Sequence, residues 1–249
     1  MEIKGKYNIG SFGKKIIYYR FKKLKDSNNY FFFLHGVYST CLKQKYFRLA
    51  DRIITNNLGS AFLFESSRKV YSFESKLTFQ QYLKTFQGKT FNDELQDVLN
   101  IFGYFFKNII KNKKYARIIL IGFSLGGTLG SFLLAKYADY IKGIILFGSG
   151  ITTKGINRPI TGSYPNKNIL LTNFKTFKGG ITLVQGSRDN VVPVLQARKI
   201  ISESHGAWLR NLIILKGVDH TFSKVNGRDA EDKLRDTVFN IIKNNIHYS

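Results

Sequence analysis

Gly122-Phe-Ser-Leu-Gly126 joins an apolar run, Ile118-Ile-Leu-Ile121, to a helix-like stretch over 128–138. A serine at the tip of such a strand-to-helix turn stands where a nucleophile would. The backbone there is strained, and side chains two residues before and after it would crowd each other. Gly122 and Gly126 relieve that crowding. Amides opening the following helix point back toward Ser124 and favour developing negative charge. A glycine-rich turn with an incidental serine reads the same way, so the pentapeptide needs partners elsewhere in the chain.

A serine hydroxyl is a poor nucleophile until a base takes its proton and an acid orients that base. Candidates for both lie downstream. Residues 180–186 form an apolar strand that runs into the polar loop Ser-Arg-Asp-Asn, which carries Asp189. Residues 211–215 form another, ending in Lys-Gly-Val-Asp-His-Thr with His220. The chain order is therefore Ser, Asp, His.

Four segments in this order, Phe33-Leu-His-Gly-Val-Tyr-Ser39, Gly122-Phe-Ser-Leu-Gly126, Gly186-Ser-Arg-Asp-Asn-Val-Val-Pro193 and Gly217-Val-Asp-His-Thr-Phe222, each end an apolar strand. Together they resemble the α/β-hydrolase family, and within it the small serine esterases, with monoglyceride lipases, cinnamoyl esterases and serine aminopeptidases. The resemblance implies Ser124 as nucleophile, His220 as general base and Asp189 as the acid that holds its ring. It implies an oxyanion hole of two backbone amides, those of Leu125 and Val37, with Tyr38 adding a hydroxyl or only a rim aromatic. His35 would shape the oxyanion loop. Asp189 has a second reading as a cap of the helix that follows it. Glu65, at another strand end, is the alternative acid, while Asp219 is a poor one because adjacent loop side chains diverge.

The implied reaction is cleavage of carboxylic esters of small or medium acyl or aromatic acids through an acyl-enzyme, on a small-molecule ester substrate. An acyl-thioesterase or depalmitoylase would use the same residues, and the fold also serves as a non-catalytic binding scaffold. A serine nucleophile argues against dehalogenases and epoxide hydrolases of this fold, which use aspartate, and against dienelactone hydrolases, which use cysteine.

The elements that must position these residues follow from patterning. Residues 14–23 and 30–34 read as two strands around the turn Asp26-Ser-Asn-Asn29, after an earlier strand near 3–9. Beyond them, apolar strands (61–64, 118–121, 143–147, 181–184, 212–215) alternate with helical stretches (46–56, 92–111, 125–138, 194–202, 229–244). That alternation predicts an α/β fold, a mostly parallel central sheet with an antiparallel N-terminal start and helices on both faces. Residues 1–249 read as one domain. Two segments, 66–90 and 151–178, fall outside this core pattern; the second is long enough for a short lid or loop but not a full cap domain.

Composition sets the outer limits. The 249 residues are 43% hydrophobic, enough for one buried core. The N-terminus lacks the apolar core of a signal peptide, and no run reaches the length of a membrane span, so a cytoplasmic protein is expected. A lone cysteine, Cys41, reads as a packed thiol, and four scattered histidines offer no metal site; no cofactor is implied. The net charge of +23 comes from 39 Lys plus Arg against 16 Asp plus Glu. Codon bias accounts for abundant lysine but not for scarce acids, which leaves attraction to an anionic surface or substrate open. The clusters at 20–25 and 107–114 read as solvated faces, without a specific nucleic-acid motif.

Overall fold

The computed structural model describes residues 1–37, 44–71, 76–110, 113–152, 159–222 and 228–245. Tyr38 and Cys41 lie outside the described residues. Eight strands form one sheet: β1 (Glu2–Tyr7), β2 (Ile17–Lys22), β3 (Asn29–Leu34), β4 (Ser60–Glu65), β5 (Arg117–Phe123), β6 (Ile141–Phe147), β7 (Gly180–Gly186) and β8 (Leu209–Leu215), in the order β1-β2-β4-β3-β5-β6-β7-β8. β1 and β2 pair antiparallel, β2 pairs antiparallel with β4, and every later pairing is parallel.

The strands expected to form a hairpin around residues 26–29 are not neighbours. β4 lies between β2 and β3. The reason is burial: β2 alternates buried and half-buried residues, which suits a position near the sheet edge, whereas the last four residues of β3 are buried on both faces and require parallel neighbours on each side. The connection at 23–28 hops over one strand, a step of about 10 Å.

Period-two alternation splits the core into two layers. Phe31, Phe33, Leu63, Ile119, Ile121 and Ile145 face one way, packing with residues of α1 (Gln44–Thr55) and α8 (Arg228–Asn244). Phe32, Phe62, Leu120, Ile144 and Leu183 face the other way. There they meet α3 (Phe91–Tyr104), α4 (Leu125–Tyr137), α6 (Lys167–Thr176) and α7 (Val194–Glu203); the shorter α2 (Phe79–Thr85) and α5 (Pro159–Gly162) lie between. The helix read over 92–111 ends earlier, α3 giving way to a single π-helical turn at Phe105–Ile109.

Two segments that the sequence pattern left outside the core belong partly to it. Leu170 and Phe174 of α6 are buried, and the helix packs on α4 and α7, so only 151–166 remains for a lid. Within 66–90, Arg68, Tyr82, Phe86 and Lys89 are buried, and Thr90 starts α3 through a capping box with Asp93. Lys89 is wholly inaccessible and donates to the Ser67 carbonyl and to Asp97. The same Asp97 accepts from the backbone and hydroxyl of both Ser11 and Ser67.

Candidate active site

Every residue singled out as a nucleophile, base or acid sits at the carboxyl end of a parallel strand. Ser124 follows β5 and immediately precedes α4, with φ +52°, a left-handed conformation that a side chain rarely adopts. Its amide is held by the Phe147 carbonyl at 2.8 Å, and its carbonyl takes the Gly127 amide at 3.0 Å. The turn tolerates nothing larger at its flanks. A Cβ on Gly126 would stand 2.2 Å from the Leu34 carbonyl oxygen, and one on Gly122 would meet Gly127 at 2.7 Å.

The Ser124 hydroxyl lies 3.0 Å from His220 Nε2, and His220 Nδ1 lies 2.8 Å from Asp189 Oδ2. An ionised Asp189 fixes the tautomer: Nδ1 carries the proton and donates it to the carboxylate, leaving Nε2 to accept from the serine. Asp189 is buried, and it does not cap the helix that follows: α7 is preceded by Pro193 and has no side-chain cap. Its Oδ1 instead accepts from the Val191 and Val192 amides and closes the turn before that helix, while Oδ2 faces His220. Asp219 turns away to accept from the Thr221 amide and hydroxyl. Glu65 is taken by Arg68, whose Nε and Nη2 both approach Oε1 at 2.9 Å.

The loop His35-Gly36-Val37, leaving β3, runs over the serine. A Cβ on Gly36 would stand 3.2 Å from Ser124 Cβ, so a side chain there would crowd the serine. Val37, the next residue, is half-buried, and Leu125 opens α4.

A family profile described as alpha/beta hydrolase fold matches residues 100–179. Among solved structures, a dienelactone hydrolase from Anabaena variabilis is similar at TM-score 0.67 and 11% identity, covering 98% of this chain and 98% of that one. A monoacylglycerol lipase from Paleococcus ferrophilus is similar at TM-score 0.65 and 11% identity, covering 94% and 99%. Est1E from Butyrivibrio proteoclasticus is similar at TM-score 0.63 and 13% identity, covering 93% and 95%. No curated protein matches the chain in sequence. The chain has the α/β-hydrolase fold.

Within this α/β-hydrolase fold, the structure adds residues that the motifs did not single out. Gln185, on β7 and wholly buried, donates through Nε2 to Asp189 Oδ2 at 2.6 Å and to the Val192 carbonyl at 2.8 Å. Its signal was a lone amide in the apolar run Ile-Thr-Leu-Val-Gln-Gly, where a buried polar side chain must have partners. Gly148, just past β6 at φ +58°, leaves room behind the relay; a Cβ there would approach Asp189 Oδ2 and His220 Nδ1 at 3.4 Å and Phe222 at 3.1 Å. Gln196 of α7 accepts from the Ile151 and Thr152 amides and donates to the Thr152 carbonyl, pinning the start of the 151–166 segment. Near the other end of that segment Tyr164 bonds Thr128, and burial pushes its phenol up to about 12.

His35 stands among charges. Its Nδ1 contacts the Gly36 carbonyl at 3.0 Å, and its buried Nε2 faces Glu94 at 3.7 Å and Glu65 at 4.0 Å. Burial opposes ionisation of Glu94, but Lys89 at 2.6 Å, then Arg68 and His35, outweigh it and hold that carboxyl well below the usual carboxylate range. Arg68 is likewise pushed upward: Tyr82, Glu65 and Glu94 overcome the burial that favours its neutral form. His35 thus rests on a buried ionic network and not on a bare apolar floor. Among the described residues no group of histidine, cysteine and carboxylate side chains could hold a metal ion, and no helix is long and apolar enough to cross a membrane.

Proposed function

We propose that the protein is a serine hydrolase that cleaves carboxylic esters of small or medium acyl or aromatic acids through an acyl-enzyme. The observation that carries this reading is the unbroken relay from the Ser124 hydroxyl through His220 to Asp189, at 3.0 and 2.8 Å. Ser124 attacks the ester carbonyl while His220 Nε2 accepts its proton; Asp189 stabilises the imidazolium. The Val37 and Leu125 amides receive the oxyanion, with α4 adding the favourable end of its dipole. His220 then returns the proton to the departing alcohol and activates the water that releases the acid.

The burial of α6 leaves at most a short lid between β6 and that helix, which supports an accessible pocket and hence small or medium acyl groups. Ferulic acid is bound to Est1E in one of the similar structures, which supports including aromatic acids among the substrates. Hydrolysis of p-nitrophenyl esters of increasing acyl length, with fluorophosphonate labelling of wild type and Ser124→Ala, tests the reading. Labelling and turnover that both vanish in the variant, the latter by about ten-thousandfold or more, are expected. A folded wild-type protein that neither labels nor turns over any ester or thioester overturns it.

A further inference from the structure

β3, β5, β6, β7 and β8 all begin at the end of the sheet opposite Ser124, and the connections that feed them carry exposed cations. These connections touch one another in sequence across the sheet. The Arg117 amide bonds the Asn28 carbonyl, joining the loop of Lys25 to the start of β5. Ile118 bonds Tyr140, which leads to Lys142 on β6. A Cβ on Gly179 would stand 2.6 Å from the Lys142 carbonyl oxygen, bringing in Lys178. The Gly206 amide bonds the Lys175 carbonyl, bringing in the segment of Trp208 and Arg210.

The result is a line of cations one strand apart, about 20 Å long from β3 to β8. Lys25, Lys142, Lys175, Lys178 and Arg210 are exposed and Arg117 is half-buried. Against them these connections hold the carboxylates Asp26 and Asp139, and nearby Glu203 is already engaged by Lys199 at 2.6 Å. Among the described residues none of the six cations has a carboxylate within ion-pair distance. Two large rings stand in the same line, Tyr115 at 56% and Trp208 at 57% exposure. Tyr115 and Arg117 border a cleft of about 630 Å³ that Lys25, Asn28, Asn29 and Asn57 also line.

We propose that this pole binds single-stranded nucleic acid without sequence preference. A positively charged track with exposed rings on which bases can stack is what such binding requires. A duplex would offer its rings no unstacked base. This surface lies at the far end of the sheet from the serine, so it is independent of the hydrolytic reading.

The test is fluorescence anisotropy of labelled oligo(dT) and oligo(U) of about 20 nucleotides with the full chain across a salt series. If about four phosphates are neutralised, log K falls with log salt at a slope near −3. Lys142→Glu with Lys178→Glu lowers affinity more than tenfold and flattens the slope by about 1.4. Tyr115→Ala and Trp208→Ala each lower affinity about tenfold with the slope unchanged, because stacking releases no counterions. Ser124→Ala binds as wild type, and ester turnover is unaltered by the three pole variants. The proposal is overturned if neither oligonucleotide binds, or if the ring variants bind as wild type, which would mean polyanion attraction alone. It is equally overturned if anionic vesicles bind and oligonucleotides do not. A fourth refuting result is an equal loss from Lys14→Glu with Lys15→Glu, which sit at the other end of the sheet and would report diffuse charge.

Discussion

Gln185 offers a sharp test of how the relay is held. Asp189 Oδ2 accepts from both His220 and Gln185, so the amide and the imidazole share one oxygen. Replacing Gln185 by Met keeps the volume and removes both donors. A hydrogen bond to a charged group contributes about 1.5–3 kcal/mol and the bond to the Val192 carbonyl about 1 more. Set against that, Gln185 Oε1 is buried without a partner among the described residues, and deleting it recovers about 1–3 kcal/mol. The net destabilisation is therefore small, about 1 kcal/mol, and the fold survives. The effect falls on chemistry: freed of the amide, the carboxylate concentrates its acceptor strength on His220 and favours the imidazolium. The acid limb of kcat/KM for a p-nitrophenyl ester should move to higher pH by about 0.5–1 unit, equivalent to about 0.7–1.4 kcal/mol. The plateau should drop by a smaller factor, because ring orientation loosens. A pH–rate profile measured beside a urea melt separates the two effects. An unmoved acid limb in a folded, active variant would refute the assignment of Gln185 as a positioning residue.

Two further outcomes follow from the same reasoning. Gly148→Ala forces a left-handed alanine, about 1–2 kcal/mol by itself, and pushes a methyl toward Asp189, His220 and Phe222; ester turnover should fall tenfold or more with the protein still folded, and activity equal to wild type would contradict it. Glu94→Gln leaves Lys89 and Arg68 short of a charge partner and should destabilise by about 3–5 kcal/mol at neutral pH. Because the Glu94 carboxyl ionises below its ordinary 4.5, its contribution is complete above that pH and is lost as pH falls through the depressed value. The deficit between wild type and variant, read from denaturant melts, should therefore narrow on acidification, and a deficit that widens would be inconsistent with the network.

Much of the architecture was legible because it depends on local pattern. The serine turn, the two strand ends bearing Asp189 and His220, and the helix–strand alternation are each written in a few consecutive residues. What escaped depends on partners distant in sequence. Strand order between β2 and β3 could not be read from the turn at 26–29, since that turn serves a hairpin or a one-strand hop equally well. The segment 167–176 carries only a weak apolar stripe, and its place against α4 follows from the sheet beneath it. Lys89 and Arg68 were not singled out, because nothing near them in sequence announces that Asp97 and Glu94 will meet them in the interior. Gln185 alone could have been suspected, as an amide stranded in an apolar run.

The carboxylate of Asp97 bears on the order in which the molecule can assemble. It gathers donors from Ser11, Ser67 and Lys89, so segments separated by as many as 86 residues converge on one buried charge. Until α3 has been synthesised and docked, Ser11 has nothing to close upon, and β1, an exposed edge strand with one neighbour, gains little by pairing early. The N-terminal strands should thus be among the last parts to lock during synthesis, despite being the first made. Trimming them would not remove a dispensable edge; it would uncover an ion in the middle of the protein.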